Sequence, residues 1–238
     1  PLFAFYGMGL QGWDASYHFS CGQSRYGDGW PNLSKYASHT PHYMGQFPAL
    51  AFAIHNNHIR EGAVVKARQL TDKELFAGKD VLGQARSAGS HDLKKLASNP
   101  TTPTELFAIG RLTIGFSGKP PPAGLDLSRY WDQGGKILRS TTGDLVWDYG
   151  NRIVEVRSSK TQAVIGFAGG RSFDLPGAGV TVKTPFVSLI LTPLDNLDLV
   201  KSRQILVTAL ARDKQTGSIY NADWSQLTQV GGPPLLLE

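Results

Sequence analysis

With 238 residues, 41% of them hydrophobic and 18% charged, the chain can bury a core without staples and lies far from the composition of a disordered segment. Its net charge of +5 is spread thinly, the densest basic stretch being Lys94-Lys95, and no basic run alternates with aromatics, so a nucleic-acid groove is not expected. The single Cys21 excludes an internal disulfide and a Cys-based zinc cage, and no segment reaches the ~18 consecutive apolar residues of a membrane span.

The first element in chain order is LFAFYGMG (2–9), whose continuous apolar run predicts a short buried strand leading into a loop. It lacks a basic n-region, and its start inside an apolar run suggests further sequence upstream. LQGWDASYHFS (10–20) then gathers Trp13, Asp14, Tyr17 and His18 within six positions. Gly22, Gly27, Gly29, Pro31 and Pro41 make 20–46 a long loop, of the kind that is usually functional or disordered. A helix is expected over Ala49 to Ile59, with Pro48 in its first turn and Gly62 as its C-terminal cap, which places His55 and His58 three apart on one face. The stretch from Glu61 to Ser98 reads as a polar connector, with TDKELFAG as a capped helical turn.

From about Pro103 the chain reads as all-β. RLTIGFS, DLVWDYG, RIVEVRS, TQAVIGFAG, GVTVKTPFVSLILT, QILVTALAR and SQLTQVG are short β-branched or aromatic runs between turn residues, and DYGN at 148–151 turns DLVW back onto RIVEVR. The fold class expected is mainly β. A small α/β unit at 1–62 and a connector at 63–102 precede an antiparallel β-sandwich at 103–238.

Chemistry concentrates in the first sixty residues, which hold Trp13, Trp30, five of the eight tyrosines and five of the six histidines. Sugar hydrolysis generally needs two carboxyl groups, and no glutamate occurs before Glu61, so Asp14 is the best single candidate for a catalytic carboxylate, with His18 close by. A plainer role for Asp14 is to accept hydrogen bonds within its own loop. Trp13, Tyr17 and Trp30 offer flat faces with polar tips, suited to stacking on a sugar or equally to packing in a core. HTPH (39–42) and HNNH (55–58) raise a second possibility, a divalent metal held by His39, His42, His55 and His58 that activates water on an ester or lactone. Surface or hydrogen-bonded structural histidines are the simpler reading. No Gly-x-Ser-x-Gly elbow is present, and AGGRSFDLPGAG (168–179) reads as a loop.

YGMGLQGWDASYHF (6–19), PHYMGQFPALAFAIHNNHIREG (41–62) and GDLVWDYGNRIVEVRSSKTQAVIGFAGG (143–170) resemble the C-terminal part of large clan-A-type glycoside hydrolases of the agarase and β-galactosidase-like kind. The resemblance implies that the first stretch is the eighth strand of a TIM barrel, the second the helix after it, and the third an accessory β-domain. It also implies that Trp13 and Asp14 face the sugar at the barrel rim. In that family the two catalytic glutamates lie on the fourth and seventh strands, upstream of these motifs, and neither has a counterpart here.

The leading expectation is therefore a glycoside-hydrolase module without the usual glutamate pair and without a cofactor. The alternatives are the metal-dependent hydrolase and a non-catalytic carbohydrate-binding module. The partners expected are a carbohydrate or small-molecule substrate, and a second copy or an upstream barrel domain, with neither nucleic acid nor membrane.

Overall fold

A computed structural model describes residues 1–17, 44–77, 102–116, 125–211, 219–220, 222 and 227–229. The N-terminal apolar run is not a strand. Phe3–Leu10 forms a π-helix, and at its end the Gln11 amide donates to the Tyr6 carbonyl five residues back, at 2.9 Å. A short, wholly apolar run suits a buried strand and a buried helix equally, and a helix satisfies its N–H groups without neighbouring strands. Two of its glycines permit close packing. A Cβ at Gly7 would meet the Trp13 ring at 2.5 Å, and one at Gly9 would meet the Ile59 side chain at 2.7 Å.

Helix α1, Phe47–His55, begins with Pro48 in its first turn and ends earlier than the sequence suggested. Asn57 adopts φ 52°, the Asn57 amide donates to Ile54 O at 3.0 Å, and the His58 amide donates to Ala53 O at 2.8 Å. That pair of bonds is a Schellman termination with Asn in the left-handed position, so Asn57 rather than Gly62 stops the helix. Ala49 and Ala53, one turn apart, form the buried face, and Ser188 Oγ donates to Gln46 Oε1 at 2.7 Å to fix the helix start to the sheet.

Residues read as connector contribute strand β1, Val64–Gln69, which pairs in parallel with β2, Arg111–Gly115. Helix α2, Asp72–Phe76, carries the expected reciprocal cap: Thr71 N–H donates to Glu74 Oε2 at 3.0 Å, and Glu74 N–H donates to Thr71 Oγ1 at 3.3 Å. The short helix α3, Leu106–Ile109, precedes β2.

The protein is mainly β, and its largest unit is one antiparallel sheet of seven strands in the order β11-β10-β7-β6-β5-β4-β3. These are β3, Trp131–Asp132; β4, Ile137–Arg139; β5, Leu145–Asp148; β6, Ile153–Arg157; β7, Gln162–Gly166; β10, Val187–Pro193; and β11, Ile205–Leu210. Between β7 and β10 the chain forms a separate hairpin of β8, Arg171–Leu175, and β9, Ala178–Val182. Two-residue β12, Ile219–Tyr220, pairs with β13, Leu227–Gln229. The expected sandwich is thus corrected to a single broad sheet with unequal covers. RLTIG pairs with β1 instead of joining that sheet, and the run at 179–192 splits into β9 and β10.

Alternation along the strands sorts the two covers. Val154, Val156, Ala163, Ile165 and Ile190 face Phe5, Leu10, Ala49, Ala53, Ile59 and Ile109 of the helical layer. Ile153, Val164 and Val187 on the opposite face meet Leu175, Val180 and Val182 of the hairpin. Each fully buried aliphatic or aromatic side chain contributes about 1.5–3 kcal/mol, so the larger, helix-side core dominates. That core holds the segment bearing Trp13 and Asp14 in place.

Candidate functional site

The π-helix hands over to the WDASY stretch through Gln11, whose side chain is fully used. Nε2 donates to Phe107 O at 2.8 Å and Gly110 O at 2.6 Å, while Oε1 accepts from Leu112 N–H at 3.1 Å. Gly12 follows at φ 69°, a value that glycine adopts without cost, and the chain reverses so that the Trp13 amide donates to Gly7 O at 3.1 Å. Trp13 therefore lies against the π-helix backbone with its indole 42% exposed.

Opposite, the Schellman turn brings Asn57, Ile59, Arg60 and Glu61 to the same place. Together with Met8, Trp13, Asp14 and Ile54 they line a cavity of about 400 Å³, within the range of small-molecule sites. Two of its charges are anchored outward. Arg60 pairs with Asp144 at 3.3 Å and donates to Thr142 O at 2.9 Å, and Glu61 pairs with Arg111. Asp14 has no hydrogen-bond or ion-pair partner among the described residues and is exposed, so its carboxylate remains available to a ligand.

Of the residues singled out in the sequence, Trp13 and Asp14 share this cavity, whereas Tyr17 is 90% exposed and does not line it. His18, Trp30, His39 and His42 lie outside the described residues. Asn57, Arg60 and Glu61 were not anticipated. The readable signal was the Asn-Asn pair at 56–57, since Asn readily takes the left-handed conformation that ends a helix and redirects the chain.

His55 and His58 do not form the expected pair on one helical face. His55 is exposed in the last turn, while His58, beyond the termination, is buried at 3% exposure. Both of its ring nitrogens are occupied: Nδ1 lies 2.8 Å from Thr161 Oγ1 and Nε2 lies 2.9 Å from Asn196 Oδ1. Lys160 Nζ also donates to Asn196 Oδ1, at 2.7 Å, so this oxygen acts as acceptor and Nε2 carries the proton. Among the described residues no group of three or more His, Cys, Asp or Glu side chains is arranged to hold a metal ion. His58 is a rivet between α1 and the sheet.

Burial holds the His58 pKa below its ordinary 6.5; the Asn196 hydrogen bond opposes the shift, and Lys160 adds to it. Because the unfolded chain then binds the proton first, this stabilisation is complete above 6.5 and is lost as the pH falls toward the lower, folded-state value. Urea unfolding from about pH 5 to about pH 8 is expected to show this loss in the parent and not in His58→Gln. At neutral pH the same substitution is expected to cost about 1–3 kcal/mol, through the hydrogen-bond partners it leaves behind.

Compared with protein-family models, curated proteins and solved structures, the chain matches none of them. The cavity's own chemistry therefore carries the functional argument. It joins an aromatic face, an exposed carboxylate and an amide over an apolar lining of Met8, Ile54 and Ile59.

Proposed function

We propose that the chain is a carbohydrate-engaging module of the glycoside-hydrolase type, able to hold a sugar but without a carboxylate pair set for hydrolysis. The observation that carries this reading is the juxtaposition, in one cavity of about 400 Å³, of the exposed Trp13 indole and the Asp14 carboxylate, which has no partner among the described residues. An indole face stacks on the apolar C–H face of a pyranose, and a free carboxylate accepts hydrogen bonds from adjacent ring hydroxyls.

The second carboxyl group lining the cavity, Glu61, is occupied by the Arg111 guanidinium. A hydrolytic pair needs one carboxyl group that donates a proton and a second that is free to attack carbon or activate water. Asp14 alone supplies one of those functions. This reading keeps the resemblance to the C-terminal region of clan-A-type hydrolases, a family whose two catalytic glutamates lie upstream of the motifs matched here.

Isothermal titration against a panel of neutral oligosaccharides tests it. At least one is expected to bind, and Trp13→Ala is expected to weaken that binding by tenfold or more, about 1.4 kcal/mol, with the urea midpoint retained. Loss of Asp14 as Asp14→Asn should weaken the same ligand without changing its chemical class. No binding across the panel, or Trp13→Ala binding equal to the parent, would sink the proposal. Turnover of aryl glycosides by the isolated chain would overturn its non-catalytic half.

A further inference from the structure

Three loops meet at the end of the sheet opposite the cavity. They are the β5–β6 turn, the β7–β8 loop and the β9–β10 loop, held together by main-chain bonds. Phe167 N–H donates to Arg152 O at 3.2 Å, Gly169 N–H to Pro185 O at 3.3 Å, and Gly170 N–H to Val182 O at 2.8 Å. The Phe167 and Phe186 rings pack edge to face with centroids 5.3 Å apart, and the Arg152 guanidinium sits 4.5 Å from the Phe167 centroid. Arg171 reaches across to Asn151 Oδ1 at 2.8 Å, and Lys183 follows Val182, the residue paired with Arg171 across the β8–β9 hairpin.

All three cations are exposed, and none has an acidic partner among the described residues. The nearby acid, Asp148, spends its oxygens on its own turn, accepting from Asn151 N–H at 2.8 Å and from Asn151 Nδ2 at 2.7 Å. Arg152 moreover holds φ 59°, a left-handed conformation that costs a non-glycine residue energy. Asn or Gly would occupy the position more comfortably. Arg at this position places a guanidinium on an aromatic face, where it is fixed while its N–H edge remains open.

We infer that the patch of Arg152, Arg171 and Lys183 around Phe167 is a binding surface for an anionic polysaccharide, engaging its sulfate or carboxylate groups. A guanidinium matches either anion with two parallel hydrogen bonds, and a preorganised one loses less entropy on binding. A single-stranded nucleic acid would instead need ring faces open to stacking bases. Here one face of Phe167 carries Arg152, and the ring abuts the edge or face of Phe186. The choice of a saccharide over other polyanions rests on the carbohydrate reading above, whereas the patch itself is separate from the cavity.

The test measures binding of the full chain to dextran sulfate, polygalacturonate, uncharged dextran and double-stranded DNA over a range of salt. Dextran sulfate or polygalacturonate is expected to bind with an affinity that falls as salt rises, and uncharged dextran is not expected to bind at this patch. Whichever charged polymer binds more tightly identifies the preferred anion. The triple variant Arg152→Asn, Arg171→Gln, Lys183→Gln is expected to bind about tenfold more weakly or worse, with its urea midpoint retained because Asn tolerates a positive φ. Trp13→Ala, which reads the cavity, should leave this binding unchanged, so failure of one proposal is distinguishable from failure of the other. Unchanged binding by the triple variant, no preference for either charged polysaccharide over dextran, or DNA bound as tightly as the charged polysaccharides would overturn the inference.

Discussion

Gly166→Ala is expected to destabilise the protein by roughly 2–6 kcal/mol, combining backbone strain with overpacking. Gly166 closes β7, paired with Ile153 on one side and Val187 on the other, and holds φ 127°, which an L side chain rarely adopts. A Cβ there would also stand inside contact distance of the Arg152 carbonyl oxygen, the oxygen that receives the Phe167 amide. Backbone cannot swing aside as a flexible side chain can, so relief would have to come from parting β6 and β7. Gly143→Ala is the matching control. It has φ 78° and nothing within 4 Å of the added methyl, so its loss should be confined to the conformational term, about 1 kcal/mol. Urea midpoints of the two variants, measured together, separate steric clash from conformational cost; equal values would show that β7 yields more easily than its pairing suggests.

Phe5→Ala is expected to cost about 3–5 kcal/mol, whereas Phe3→Ala is expected to stay within about 0.5 kcal/mol. The contrast tests the N-terminal element itself. In a strand, residues 3 and 5 share one face, and in a barrel strand covered on both faces both would be buried. In the π-helix they part company: Phe5 is fully buried in the helix-side core, and Phe3 is 72% exposed. Comparable losses from both substitutions would favour the strand and restore the barrel-end geometry. A large loss from Phe5 alone fixes the helix, and with it the placement of Trp13 against Gly7.

The parts of this fold legible in the sequence were those governed by local rules. RIVEVR alternates and forms β6, DYGN turns β5 onto it, Pro48 enters α1, and Thr71 with Glu74 caps α2. Where two rules competed, the reading failed. LFAFYGMG satisfies the apolar pattern of a buried strand and of a buried helix, and only its surroundings choose between them. RSFDL was hidden inside a Gly-rich stretch, although the Pro-Gly at 176–177 that follows it marks the hairpin turn. VVKARQ was masked by its charges, because a half-buried strand in a two-stranded parallel pair can carry Lys66 and Arg68.

The cavity was legible in half. Trp13 and Asp14 announce themselves by residue type, but Arg60 and Glu61 belong to it only because Asn57 turns the chain there. His58 shows the reverse error, since spacing on a helix says nothing once the helix has ended three residues earlier. Its hydrogen-bond partners at 161 and 196 could not have been paired with it from sequence distance.

Those separations bear on the order of assembly. From β3 to β7 each strand pairs with the next in the chain, so each of these hairpins closes a short loop; β7 also receives the later strand β10, and the helical layer is fastened across still longer separations. Gln11 meets Phe107 96 residues away, His58 meets Asn196 138 away, and Gln46 meets Ser188 142 away. Short closures cost little entropy and form early, and long ones wait until a surface exists to receive them. The meander is thus the template, and the layer carrying Trp13 and Asp14 arrives last. Folding kinetics should assign a substitution at Val156 mainly to the refolding rate and one at Ala53 mainly to the unfolding rate, and the opposite partition would reverse this order.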